Sequence, residues 1–208
     1  MKPTEFLIVV LLLIGGIHFS ANAQKRGFQP GYIITQNGDT LQGVLKDRSP
    51  EPFVTIYNKI RFKPQGKSRT RKYSPADIRG YGIQDRYFIS LPLREDSAFF
   101  KFRYSLDASV PNSFFRVIAQ SETLWHLEQE FIHDDNNYVD SFPLFYKPTT
   151  GQVVRVTQGF LGFRKKRLTS FFADCPEIPN AIYQKDPRLK TVSELYSFYV
   201  FNCGVHNP

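Results

Sequence analysis

Two cysteines, one tryptophan, one methionine and four histidines in 208 residues leave little material for thiol, metal or imidazole chemistry. Cys175 and Cys203 form no C-x-x-C pair, so the usual spacing of a zinc site is absent. No G-x-S-x-G is present, which removes the strained nucleophile turn of the α/β-hydrolases. Past the N-terminal run of signal character described below, the histidines are His126, His133 and His206, and none lies beside a nucleophile. His126 alternates with Glu128 on the polar side of an expected strand and reads as a solvated imidazole. His133 to Asn137 with Asp140 offers hard oxygens, but it lacks the glycine and the late glutamate of a calcium loop and reads as a turn. These absences leave no catalytic residue, no cofactor site and no metal site to nominate.

Long apolar runs are also missing, except at the start. Lys2, the apolar run Phe6 to Ile17 and the small-x-small site Ala21-Asn22-Ala23 predict a signal peptide over residues 1–23. The run is short for a membrane span, and no cysteine follows it to carry a lipid anchor. The expected product is one mature domain over 24–208, exported to the periplasm or the extracellular space. A high aromatic share, 15%, raises an outer-membrane barrel, but the helical, polar-capped C-terminus and the short, irregular strands argue against one.

Acidic residues are the minority, 19 against 27 lysines and arginines, for a formal charge of +8. The excess is concentrated. Arg61, Lys63, Lys67, Arg69, Arg71 and Lys72 fall in one stretch without an acid, and Arg164 to Arg167 form a second cluster. Such charge with Tyr57, Phe62 and Tyr73 nearby suits an anion. The stretch is expected to be an exposed loop, with an anionic envelope component or another envelope protein as partner; nucleic acid is not expected.

From residue 31 to 157 the pattern is β. In GYIITQNGDTLQGVL, Asn37-Gly38 predicts a two-residue type I′ hairpin. That turn would place Tyr32, Ile34, Leu41 and Leu45 on one face, with Tyr32 over Gly43. Further strands are expected at Phe53–Tyr57, Ile60–Phe62, Tyr87–Leu91, Phe99–Tyr104, Phe114–Gln120, Thr123–Ile132, Tyr138–Tyr146 and Gln152–Thr157. Ser74-Pro75-Ala76-Asp77 predicts a short helical corner, stopped by Gly80 and Gly82. In Phe114–Gln120 either face could point inward. Short turns without intervening helices argue an antiparallel sandwich or a rolled, barrel-like sheet.

From 160 to 203 the period becomes helical. Leu168, Phe171, Phe172 and Cys175 form one stripe, and Ile178, Ala181 and Ile182 a second behind an expected Asp174 N-cap. A third, from Val192 to Tyr199, follows the capping box Thr191-Val192-Ser193-Glu194. Both cysteines close such stripes, and export permits their oxidation. A bridge and two buried thiols are both compatible with the spacing.

Gly38 to Gly43, Tyr73 to Ile78 and Phe171 to Ile178 together resemble a family of uncharacterised secreted proteins from Bacteroidota. The resemblance implies an exported β-rich domain followed by helices and carries no activity or catalytic residue with it. The fold expected is α+β, mostly antiparallel β with two or three C-terminal helices. The function expected is an exported binding or structural module of the bacterial cell envelope. Its rival is a hydrolase or transferase acting on envelope glycans or lipids.

Overall fold

The computed structural model describes residues 27–48, 59–98, 101–132, 139–158 and 162–204. The signal-peptide segment, the Phe53–Tyr57 strand and the His133–Asn137 turn lie outside them. Ten strands form one antiparallel sheet. In chain order these are β1 (Gln29–Thr35), β2 (Thr40–Lys46), β3 (Ile60–Pro64), β4 (Arg71–Tyr73), β5 (Ile78–Ile83), β6 (Arg86–Leu91), β9 (Ser113–Gln120), β10 (Trp125–Ile132), β11 (Val139–Lys147) and β12 (Gln152–Arg155). A separate hairpin pairs β7 (Leu93–Ala98) with β8 (Lys101–Leu106). Three helices close the chain: α1 (Lys165–Phe171), α2 (Glu177–Gln184) and α3 (Val192–Asn202). The fold is therefore α+β and mostly antiparallel, and its sheet is open. The strand order is β12-β11-β10-β9-β6-β5-β1-β2-β3-β4, so β12 and β4 are its two ends.

The first hairpin forms in a different register from a two-residue turn. Ile33 opposes Leu41 and Tyr32 opposes Gln42, and Thr35 and Asp39 bracket a three-residue loop. Gly38 does take positive φ, +94°, while Asn37 does not. A turn followed by a left-handed glycine adds one residue to the loop, and that residue exchanges the faces of β1. Ile33 is therefore the fully buried residue, with Leu45, and Tyr32 points the other way. The Tyr32 ring covers Gly82, where a Cβ would overlap it, and Phe62 takes the place over Gly43.

Gly80 and Gly82 do not stop the chain. They sit inside β5, between β1 and β6 in the middle of the sheet. Both are places where a tyrosine ring, Tyr87 or Tyr32, lies flat against the backbone. The corner before it is a turn rather than a helix: the Asp77 carboxylate accepts from the Ser74 amide and hydroxyl. In β9 both faces are buried, Phe114 on one and Phe115 on the other. Each ring contributes about 2 kcal/mol of burial, so neither side is free to face water.

Three apolar clusters result. Helices α1 to α3 cover the β10–β12 end of one face, packing Leu168, Phe172 and Leu195 on Phe145 and Val154. Tyr104 of the β7–β8 hairpin joins the opposite face, with Phe115, Leu127 and Leu144. Toward β1–β3, Tyr81 stacks on Phe88 at 4.6 Å and meets Phe114 edge-on at 4.9 Å. Over this third cluster runs Arg48. Its guanidinium lies 4.6 Å above the Phe88 ring and reaches Glu130 of β10 at 2.6 Å. In strand order β2 and β10 are five places apart, about 24 Å on a flat sheet. The contact requires a coiled sheet and a chain that leaves β2 across its concave face.

Candidate functional site

Strands, rather than a loop, carry most of the basic stretch. Arg61 and Lys63 lie in β3 and Arg71 and Lys72 in β4, while exposed Lys67 and Arg69 belong to the turn between them. Alternation explains why this stays compatible with solubility: Ile60 and Phe62 face the core, and Arg61 and Lys63 face away from it. The pairing adds a residue that proximity in sequence does not suggest. Lys46 of β2 opposes Arg61, and Arg61 opposes Lys72, so three cations form a row across three adjacent strands. None of the three is in an ion pair among the described residues. Arg71 lies on the other face, so the six nominated side chains do not all converge. Lys63 and Lys67 border a shallow groove of about 610 Å3 floored by Gly43 and Val44.

The second basic cluster acquires partners from distant strands. Arg164 and Arg167, at the start of α1, border a depression of about 430 Å3 together with Arg103 of β8 and Arg155 of β12. Arg103 and Arg155 carry no local signal, because only β8–β12 and α1–β12 packing brings them here. The depression also contains Tyr104, whose buried hydroxyl makes no hydrogen bond of ordinary length; the Arg155 Nε is buried without a partner. Burial, and then the neighbouring Glu95 carboxylate, push the Tyr104 phenol up to about 12. Burial, with Arg155 and Arg167 beside it, makes the Arg164 guanidinium less basic than usual.

Cys175 and Cys203 are joined as a disulfide with Cα atoms 5.8 Å apart. Glu177 lies beside both sulfurs, but a disulfide leaves no thiolate to hold a metal. Asp174 is not the cap of α2, whose N-cap is Pro176. Its carboxylate instead accepts from the Lys147 Nζ, at 2.6 and 2.7 Å, and from the Tyr199 hydroxyl at 2.7 Å. Burial raises the Asp174 carboxyl, and those donors more than offset it, leaving it below the usual range. This arrangement fastens α3 and the end of α1 to the last residue of β11. The capping box at Thr191 and Glu194 forms as read from the sequence.

His126 is not solvated. It is 4% exposed, lies 5.6 Å from the Phe145 ring and 6.4 Å from that of Tyr196, and neither nitrogen has a hydrogen-bond partner. The alternation in β10 is as expected, but α3 covers the face on which His126 lies. Burial holds its pKa at about 4. Because that lies below the unfolded value near 6.5, the unfolded chain binds the proton first. Stability from this group is complete above pH ~6.5 and is lost as pH falls toward 4. Urea unfolding should show about 2.5 kcal/mol less stability at pH 4.5 than at pH 7.5 from His126. His126→Leu should remove that part of the acid sensitivity; an unchanged slope would assign it to other groups.

Among the described residues, the carboxylates with a resolved shift are all shifted down. Besides Asp174 these are Asp77 beside Ser74, Asp107 beside Ser109, Asp186 beside Arg188, and Glu194 under the Thr191 amide. A general acid needs the opposite direction. No helix among the described residues is long and apolar enough to cross a membrane. Comparison with family models, curated proteins and solved structures returned no match.

Proposed function

We propose that this chain is an exported binding module of the bacterial envelope and that an anionic polymer lies across β2, β3 and β4. The observation that carries this reading is the row Lys46, Arg61 and Lys72. Like charges directly opposite one another in a sheet are unfavourable, by a few tenths of a kcal/mol when exposed. A polymer with regularly spaced negative charge relieves that repulsion in every strand it crosses. The N-terminal signal pattern and the resemblance to secreted Bacteroidota proteins support the envelope setting.

One observation favours a second role for the same residues. β4 is an end strand, and lysines on an exposed edge discourage pairing between copies. The variant Lys46→Ser/Arg61→Ser/Lys72→Ser, which empties the row, separates the two. The parent's binding to long-chain polyphosphate should fall with added salt, and the variant's should be severalfold weaker without a lower melting temperature. Self-association of the variant with unchanged polyphosphate affinity would assign the charges to edge protection and overturn the binding role.

A further inference from the structure

We propose that the depression between β8, β12 and α1 binds the phosphoryl group of a phosphomonoester. This is a second site, at the β12 end of the strand order, whereas the row of cations is at the β4 end. Four arginines, Arg103, Arg155, Arg164 and Arg167, border one depression of about 430 Å3. Guanidinium groups repel one another, and a cluster drawn from three separate elements is held together more easily by an anion than without one. Their planar donors fit the oxygens of a phosphoryl group, several of which can be engaged at once.

Two buried polar atoms point to a ligand independently of the charge. Tyr104 is 9% exposed, and its hydroxyl, with the Glu95 carboxylate and the Arg155 guanidinium beside it, makes no hydrogen bond of ordinary length. The Arg155 Nε is likewise buried and unpartnered, while its guanidinium lies 4.2 Å over the Phe142 ring. Leaving a buried donor unmade is costly, and an oxygen acceptor placed among these side chains satisfies both. A dianion suits four positive side chains lining one depression, with Glu95 and Asp96 of the facing strand β7 the carboxylates opposite Tyr104 and Arg103. The lining is also partly apolar, with Leu106, Val153 and Phe171, so the group esterified to the phosphate meets carbon rather than water.

Such a phosphoryl group could come from a soluble sugar phosphate or from a lipid headgroup, and titration of the mature protein distinguishes them. Glucose 1-phosphate is titrated by calorimetry; phosphatidylcholine vesicles with and without phosphatidic acid are tested by flotation. Binding of either probe is expected, with the sugar phosphate alone marking a soluble ligand and the vesicles alone a lipid. Arg155→Gln/Arg167→Gln should weaken it roughly tenfold or more, while the Lys46→Ser/Arg61→Ser/Lys72→Ser row variant should bind as the parent does. Tyr104→Phe keeps the fold readable should the double variant unfold: it should melt no lower than the parent and still bind more weakly. Binding of neither probe, equal weakening by the pocket and row variants, or parental affinity in Tyr104→Phe would overturn the site.

Discussion

Arg48→Met should lower stability by about 3–5 kcal/mol, the range for breaking a buried ion pair by removing one partner. The Arg48 side chain is only 5% exposed, and its carboxylate partners Asp47 and Glu130 are 18% and 19% exposed. Methionine can refill most of the space over Phe88, so packing is not the main loss. The carboxylates are. Asp47 keeps the Tyr81 hydroxyl at 2.7 Å and Arg86 at 2.9 Å, whereas Glu130 loses the 2.6 Å contact. Glu130 is then left without its cation in a largely dry setting, where removing one partner costs most. Adding Glu130→Gln should recover part of the loss at pH 7. Urea midpoints for the parent, the single and the double variant test this; a deficit below about 1 kcal/mol, or no recovery in the double variant, would mean that Arg48 does not hold the sheet in its coiled form.

Removing the disulfide should have an effect of similar size. Cys175 and Cys203 are separated by 28 positions, which gives about 3.5 kcal/mol from the restricted unfolded chain. The enclosed segment contains α2, which has no side-chain cap, and all of α3. The Lys147–Asp174–Tyr199 contacts sit just beside the bridge and hold the same two elements, so they reduce the loss without replacing it. A Cys175→Ala/Cys203→Ala variant should show a lower urea midpoint, and a reductant should bring the parent close to it. Equal midpoints with and without reductant, with both thiols labelled in the unreduced protein, would remove the bridge as a source of stability.

The elements legible in the sequence are those whose signal is local. Trp125 and Leu127 share a face of β10, the Leu168–Phe171–Phe172–Cys175 stripe is buried, and Thr191 and Glu194 close their capping box, because each depends on neighbours within one or two turns of chain. Gly80 and Gly82 were misleading for a physical reason. A glycine weakens a strand unless something covers it, and the rings that cover these two come from β6 and β1. The candidate sites divide in the same way. The basic stretch from Arg61 to Lys72 is visible as a run, but its membership in a row with Lys46 is a matter of strand pairing. Arg103 and Arg155 join Arg164 and Arg167 only through packing of β8 and α1 against β12.

The sequence by itself determined that this chain is mostly antiparallel β followed by helices, since a period of two until about residue 157 and of 3.6 after 160 admits little else. It also determined that positive charge is concentrated and that Gly38 takes a left-handed turn. Tertiary structure alone decided which side of that charge meets solvent, that His126 lies under a helix, and where the four arginines converge. One residue of loop length sets the register of the first hairpin and so exchanges the faces of β1. Coiling of the sheet sets which distant strands touch. Neither depends on the composition of the strands that it rearranges.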